Sequence, residues 1–136
     1  MSYIIYPQSP DNKLAIIIPT GDVNDCIKDV PSETPYAIVD SLEGIDNDYF
    51  DGFIYEAGAA VANIDKCKSI HRDKFRQARA PKLASLDVAF MKAVETADLA
   101  KQSEISDAKQ ALRDVTKVEL PSTLPEIKAT WPEILN

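Results

Sequence analysis

His71 is the single histidine of this 136-residue chain. Cys67 precedes it by four positions, so on a helix the two would share one face, a spacing that suits two zinc ligands. No second pair follows, and Cys26 would have to approach from elsewhere to make three ligands. His71 also falls on an apolar stripe, where a histidine is usually a packed and hydrogen-bonded side chain. Ser69, next to Ile70-His71, is a candidate nucleophile, but nothing in the sequence groups an acid, a base and an oxyanion hole around it. The run Asp46-Asn47-Asp48-Tyr49-Phe50-Asp51-Gly52 has the look of a calcium loop until its positions are counted. The fifth and sixth places hold Phe50 and Asp51 where an oxygen ligand and a glycine are needed, and the twelfth is Ala57 instead of Glu. Gly58-Ala59-Ala60 lacks the glycine spacing and the Lys-Ser/Thr of a phosphate loop. The expectation is a non-enzymatic protein with no metal and no cofactor.

Charge divides the chain. Residues 1–60 hold Lys13 and Lys28 against eleven acids, a net of −9, whereas residues 61–82 hold seven bases and two acids, a net of +5. The whole chain is at −7, which disfavours general affinity for nucleic acid because phosphate is repelled. The bases Lys66, Lys68, Arg72, Lys74, Arg76 and Arg79 have no interleaved aromatic residues. They read as a solvated helix face, with Arg72, Arg76 and Arg79 as candidates for contact with an acidic protein surface. One such surface is the first half of the same chain or of a neighbouring copy, so a homo-oligomer is an expected assembly.

No apolar run is long enough for a transmembrane helix, and Met1–Tyr6 has no basic segment leading into a long apolar one, so no secretory signal is expected. Two cysteines make no disulfide framework. Reduced thiols, no membrane partner and synthesis in the cytosol are therefore predicted.

These residues must be positioned by two kinds of structure. Tyr3–Tyr6 and Leu14–Ile18 are apolar and rich in branched residues, with the turn formers Pro7–Asn12 between them. Asp22–Val30 has the spacing of a short helix capped by Asp22. Tyr36–Asp40 and Phe53–Glu56 are further strands, the second preceded by the polar loop Glu43–Gly52. From Asn63, Ile64, Cys67, His71, Phe75 and Ala78 follow helical spacing. Pro81 is expected to break that helix, with Leu83, Leu86, Phe90, Ala93 and Ala97 marking a second. A polar gap at Asp98–Gln102 leads to a third helix over Ser103–Val115. The fold class predicted is α+β: a small N-terminal antiparallel sheet (residues 1–60), a helical hairpin or bundle (61–118), and a Pro-rich C-terminal tail (119–136). Pro121, Pro125 and Pro132 forbid a long helix in the tail, but Leu120, Leu124, Ile127, Trp131, Ile134 and Leu135 are too apolar to stay solvated. Trp131, Ile127 and Leu135 are thus the expected anchors, in cis or in a partner's groove.

Two stretches carry a resemblance. One is Tyr3–Tyr6 with Leu14–Pro19, Lys28–Pro31 and Pro35–Asp40. The other is Ile70–Leu83 with Leu86-Asp87, Lys109–Thr116 and Trp131-Pro132-Glu133. Together they resemble small proteins encoded among the tail genes of phages and prophages, a group with no settled activity to transfer. The closing Leu112-Arg113-Asp114-Val115 and Trp131-Pro132-Glu133 are also similar to the C-terminal end of phage tail-fibre assembly proteins; the N-terminal half is not. The resemblance implies binding to tail or tail-fibre proteins, as a minor virion subunit or adaptor or as a tail-fibre assembly factor. Its location would be the virion tail, the host cytoplasm, or both. The competing classes are a small phage-encoded enzyme and a nucleic-acid-binding regulator.

Overall fold

The structure, a computed structural model, describes residues 1–136. It is an α+β protein: a five-stranded antiparallel sheet is followed by helices. The strands are β1 (Tyr3–Gln8), β2 (Lys13–Ile17), β3 (Ala37–Val39), β4 (Phe53–Glu56) and β5 (Ala59–Ala62), in the spatial order β3-β1-β2-β4-β5. The helices are α1 (Ile64–Glu95), α2 (Leu99–Asp114) and α3 (Leu124–Ala129). The chain forms two compact units, Met1–Ile70 and His71–Asn136. The boundary expected near residue 60 therefore falls ten residues later, inside α1, and the tail expected as a separate segment belongs to the second unit.

In the first unit, β1 is an interior strand, between β3 and β2. Ile4 pairs with Ile17 and Ile38, and Ile5 with Ile16 and Ala37. Neighbouring strand residues point to opposite faces, and Ile4 and Ile5 are both fully buried, so β1 is covered on both sides. Asp22–Val30, expected as a helix, is a 3-10 turn over Val23–Asp29 with Asp22 capping it through Asn24 N–H. The segment expected as a polar loop before β4 winds into a 3-10 turn over Asn47–Gly52, capped by Asp46, that buries Tyr49. Strand β5 was not legible as a strand. It is reached through Ala57 and Gly58, both at positive φ (51° and 84°), between the paired residues Glu56 and Ala59. Two consecutive positive φ values give the two-residue hairpin turn whose twist matches antiparallel strands.

In the second unit, α1 does not break at Pro81. Proline has a φ that a helix accepts; what it removes is one N–H, and its ring crowds the carbonyl four residues back, on Gln77. Both Pro81 and Gln77 are exposed, so water can serve that carbonyl while packing on the opposite side keeps the helix intact. Phe75 and Ala93, on either side of Pro81, are buried. Helix α1 ends instead at Glu95, and Ala97, two residues on, is held at φ 54°. Asp98 N–H donates to the Ala93 carbonyl and Ala97 N–H to that of Val94, the paired reverse bonds of a left-handed helix stop. Asp98 then caps α2 by accepting from Lys101 N–H at 3.0 Å, so α2 starts four residues before the expected Ser103. No helix is long and apolar enough to cross a membrane.

Candidate functional site

The functional candidates of the second unit are assembled by α1. His71, Phe75 and Trp131 form an aromatic cluster in which every contact is edge-to-face: His71 to Phe75 at 4.7 Å, Phe75 to Trp131 at 5.3 Å and His71 to Trp131 at 6.2 Å between ring centroids. His71 is buried, and its Nε2 donates to the Thr130 carbonyl at 2.6 Å. A carbonyl only accepts, so Nε2 carries the proton. Ser69 is exposed on the surface, and residues two apart on a helix do not face each other; the pair is not arranged as nucleophile and base. No group of three or more His, Cys, Asp or Glu side chains is placed to hold a metal ion. Cys26 is half-buried, Cys67 is buried, and the two are not bonded to each other.

The tail is held down. Leu120, Ile127 and Leu135 are buried, Ile127 on α3, which the tail forms at Leu124–Ala129 with Pro125 in its first turn. Trp131 differs from Ile127 and Leu135. It packs against His71 and Phe75 yet remains 41% exposed. Ile134 is equally exposed. Beside it runs an open groove of about 440 Å³, lined by Pro81, Lys82, Leu86, Ala108, Leu112 and Ile134. Lys82 Nζ, at its rim, donates to the Asn136 carbonyl at 2.7 Å.

The arginines read as a charged face have specific work within the unit. Arg79 Nη1 donates to the carbonyls of Arg113 (2.8 Å) and Leu112 (3.4 Å), and Arg72 Nε to that of Thr116 (3.3 Å). The final carbonyls of a helix lack partners and carry partial negative charge; two cations from α1 supply both bonds and charge to the end of α2. Arg76 pairs with Asp73 and keeps half of its side chain in solvent. Of the three, Arg76 is the one directed at solvent rather than at α2. On the far side, Asp87 pairs with Lys109, whose ammonium also lies 5.7 Å from the Phe90 ring centre.

A further feature has no counterpart in the sequence reading. Val88, Met91, Val94 and Leu99 are 54%, 65%, 51% and 75% exposed. The first three lie on α1, and Leu99 opens α2. No protein-family profile, curated protein or solved structure matches the chain.

Proposed function

We propose that the protein is a non-enzymatic component of a phage tail system that binds tail or tail-fibre proteins, as a minor virion subunit or adaptor or as a factor in fibre assembly. The observation that carries the binding role is the groove beside Ile134 together with the partial exposure of Trp131 three residues earlier. The groove is concave and mostly apolar, and tryptophan is the residue type most often found among binding hot spots. The tail context is supported by the resemblance of Ile70–Leu83, Lys109–Thr116 and Trp131-Pro132-Glu133 to tail-region proteins. The occupant that suits the groove is an apolar segment of a tail or tail-fibre protein, since five of its seven lining residues are apolar, with Lys82 and Ser85 the polar ones.

Purified particles of the phage that carries the gene provide the test. A fixed copy number per particle by mass spectrometry identifies a virion subunit. Absence from particles together with co-purification on the fibre protein during infection identifies an assembly factor. Absence from both contradicts the reading. Leu86→Asp, in the groove wall, is expected to abolish whichever association is found.

A further inference from the structure

The two edge strands of the sheet approach each other. β3 and β5 stand at opposite ends of the strand order. Yet a Cβ placed on Gly58, in the turn that enters β5, would lie 3.8 Å from the Cβ of Ala37, the first residue of β3. The sheet therefore curls until its ends touch at this point. Beyond it the sheet stays open, because β3 pairs only with β1 and β5 only with β4. An edge strand presents main-chain N–H and C=O groups without strand partners, so the seam carries such groups on both of its sides.

A cavity of about 220 Å³ lies along this seam. The strand register puts Ile5, Val39 and Ala60 on one face of the sheet, and all three line the cavity. The loop after β3 adds Glu43 to the wall. The volume is below the roughly 300–1,000 Å³ of drug-sized sites and matches about seven liquid waters, the scale of one side chain. Its charge is one-sided. Residues 40–56, which include that loop, hold six acids and no base. Asp51 pairs with Lys13, whereas Glu43 is in none of the ion pairs. The Glu43 main-chain N–H donates to the Ser41 hydroxyl at 2.9 Å, which fixes the loop and leaves the carboxylate to the cavity wall. An anion is repelled from such a site. A group with an apolar stem and a cationic, donor-rich head matches it. Between the two cationic side chains, arginine is a planar fork suited to bidentate partners, whereas an ammonium on a flexible stem carries three donors that turn separately. One carboxylate beside scattered main-chain carbonyls suits the ammonium.

We infer that the seam between β3 and β5 is a second binding site, which takes the side chain of a lysine presented by a partner protein. The stem lies on Ile5, Val39 and Ala60, and the ammonium is held by Glu43 and the carbonyls of the strand edges. The inference stands apart from the groove beside Ile134, which belongs to the other unit. Titration of the isotope-labelled protein with Nα-acetyl-lysine methylamide, followed through its amide NMR spectrum, tests it. Saturable shifts are expected at Val39, Glu43, Gly44, Ile45 and Ala60. The same compound acetylated on its side-chain nitrogen keeps the stem and loses the charge, and should not produce them. Glu43→Gln should weaken binding several-fold, and Ala60→Leu, which fills the cavity, should abolish it; the remaining amide signals report that both variants are folded. Absence of localised shifts with the lysine compound overturns the proposal. So does an equal response to the neutral compound, or binding unaltered in Glu43→Gln. n-Butylamine serves as a free-amine probe: shifts with it but none with the lysine compound would assign the cavity to a small amine, and refute the partner lysine.

Discussion

His71 and Thr130, 59 positions apart, are joined by a 2.6 Å hydrogen bond from Nε2 to a main-chain carbonyl. The bond ties the tail to α1 at the point where α3 ends and Trp131 begins its dock. A sequence inspected for chemistry puts His71 first on the list; the folded protein uses it as a donor in a packed cluster. Replacing it by phenylalanine keeps a ring beside Phe75 but leaves the Thr130 carbonyl without its donor. An unmade bond at a part-buried carbonyl costs about 1–3 kcal/mol. Urea unfolding of His71→Phe is expected to show a loss of that size, and an unchanged midpoint would contradict the role.

Trp131 docks in cis and is also left partly open, so its removal should act twice. Full burial would put the cost of Trp131→Ala at about 3–5 kcal/mol. With 41% of the residue exposed, about 2–3 kcal/mol is expected, part of it from the edge-to-face contacts with Phe75 and His71. Thermal unfolding of the isolated variant measures the first effect. Binding of the tail or tail-fibre partner, at a temperature where the variant is fully folded, measures the second and should fall by at least tenfold. Stability lost with binding intact would restrict Trp131 to the structural role.

Ala97 occupies a left-handed position that favours glycine, at φ 54°, and its side chain is exposed. An L-residue is strained there, which glycine relieves at some cost in unfolded-chain entropy. Ala97→Gly is expected to stabilise the protein by about 0.5–1 kcal/mol. Chemical denaturation decides it: a lower unfolding midpoint would mean that the turn between α1 and α2 is not under this strain.

The parts of the fold that could be read were those where local chemistry and tertiary structure agree. The branched runs at Tyr3–Tyr6, Leu14–Ile18 and Phe53–Glu56 are strands, and the spacing Cys67, His71, Phe75 marks a buried helix side. Ala59–Ala62 escaped because alanine is a poor strand former that pairs here only because Ala57 and Gly58 fold it back on β4. The stop at Ala97 escaped because alanine holds the place where glycine would have announced it. Pro81 misled in a more consequential way. Taken as a break, it divides one helix into two and conceals that Phe75 and Ala93 are buried on the same side of a single helix. The duties of Arg72 and Arg79 were not legible either, because a sequence does not tell which distant carbonyls a long side chain will reach. Trp131, Ile127 and Leu135 could be singled out as anchors from their apolar character in a stretch that cannot form a long helix.

Cys67 packs so closely on Gly52 that a Cβ there would lie 2.8 Å from the Cys67 sulfur and 3.3 Å from its main-chain nitrogen. Burial pushes the Cys67 thiol above its ordinary range, and the carboxylate of Asp46 pushes it further in the same direction. Both effects disfavour the thiolate, the form that reacts. In the native protein Cys26 should therefore be alkylated quickly and Cys67 only after unfolding, with two modified thiols once denaturant is added. The same shift sets a pH dependence. As pH rises, the unfolded chain gives up this proton first and the native state holds it, so the native state binds more protons and stability falls. The contribution is complete below the ordinary thiol range and is lost as pH climbs through the raised value. As pH rises above the ordinary thiol range, wild type should accordingly lose stability more steeply than Cys67→Ala. Gly52→Ala tests the packing alone, because the added methyl must displace the sulfur or the helix backbone; a loss of about 1–3 kcal/mol is expected. If Cys67 in the folded protein reacts as fast as Cys26, both the close packing and the raised thiol are refuted together.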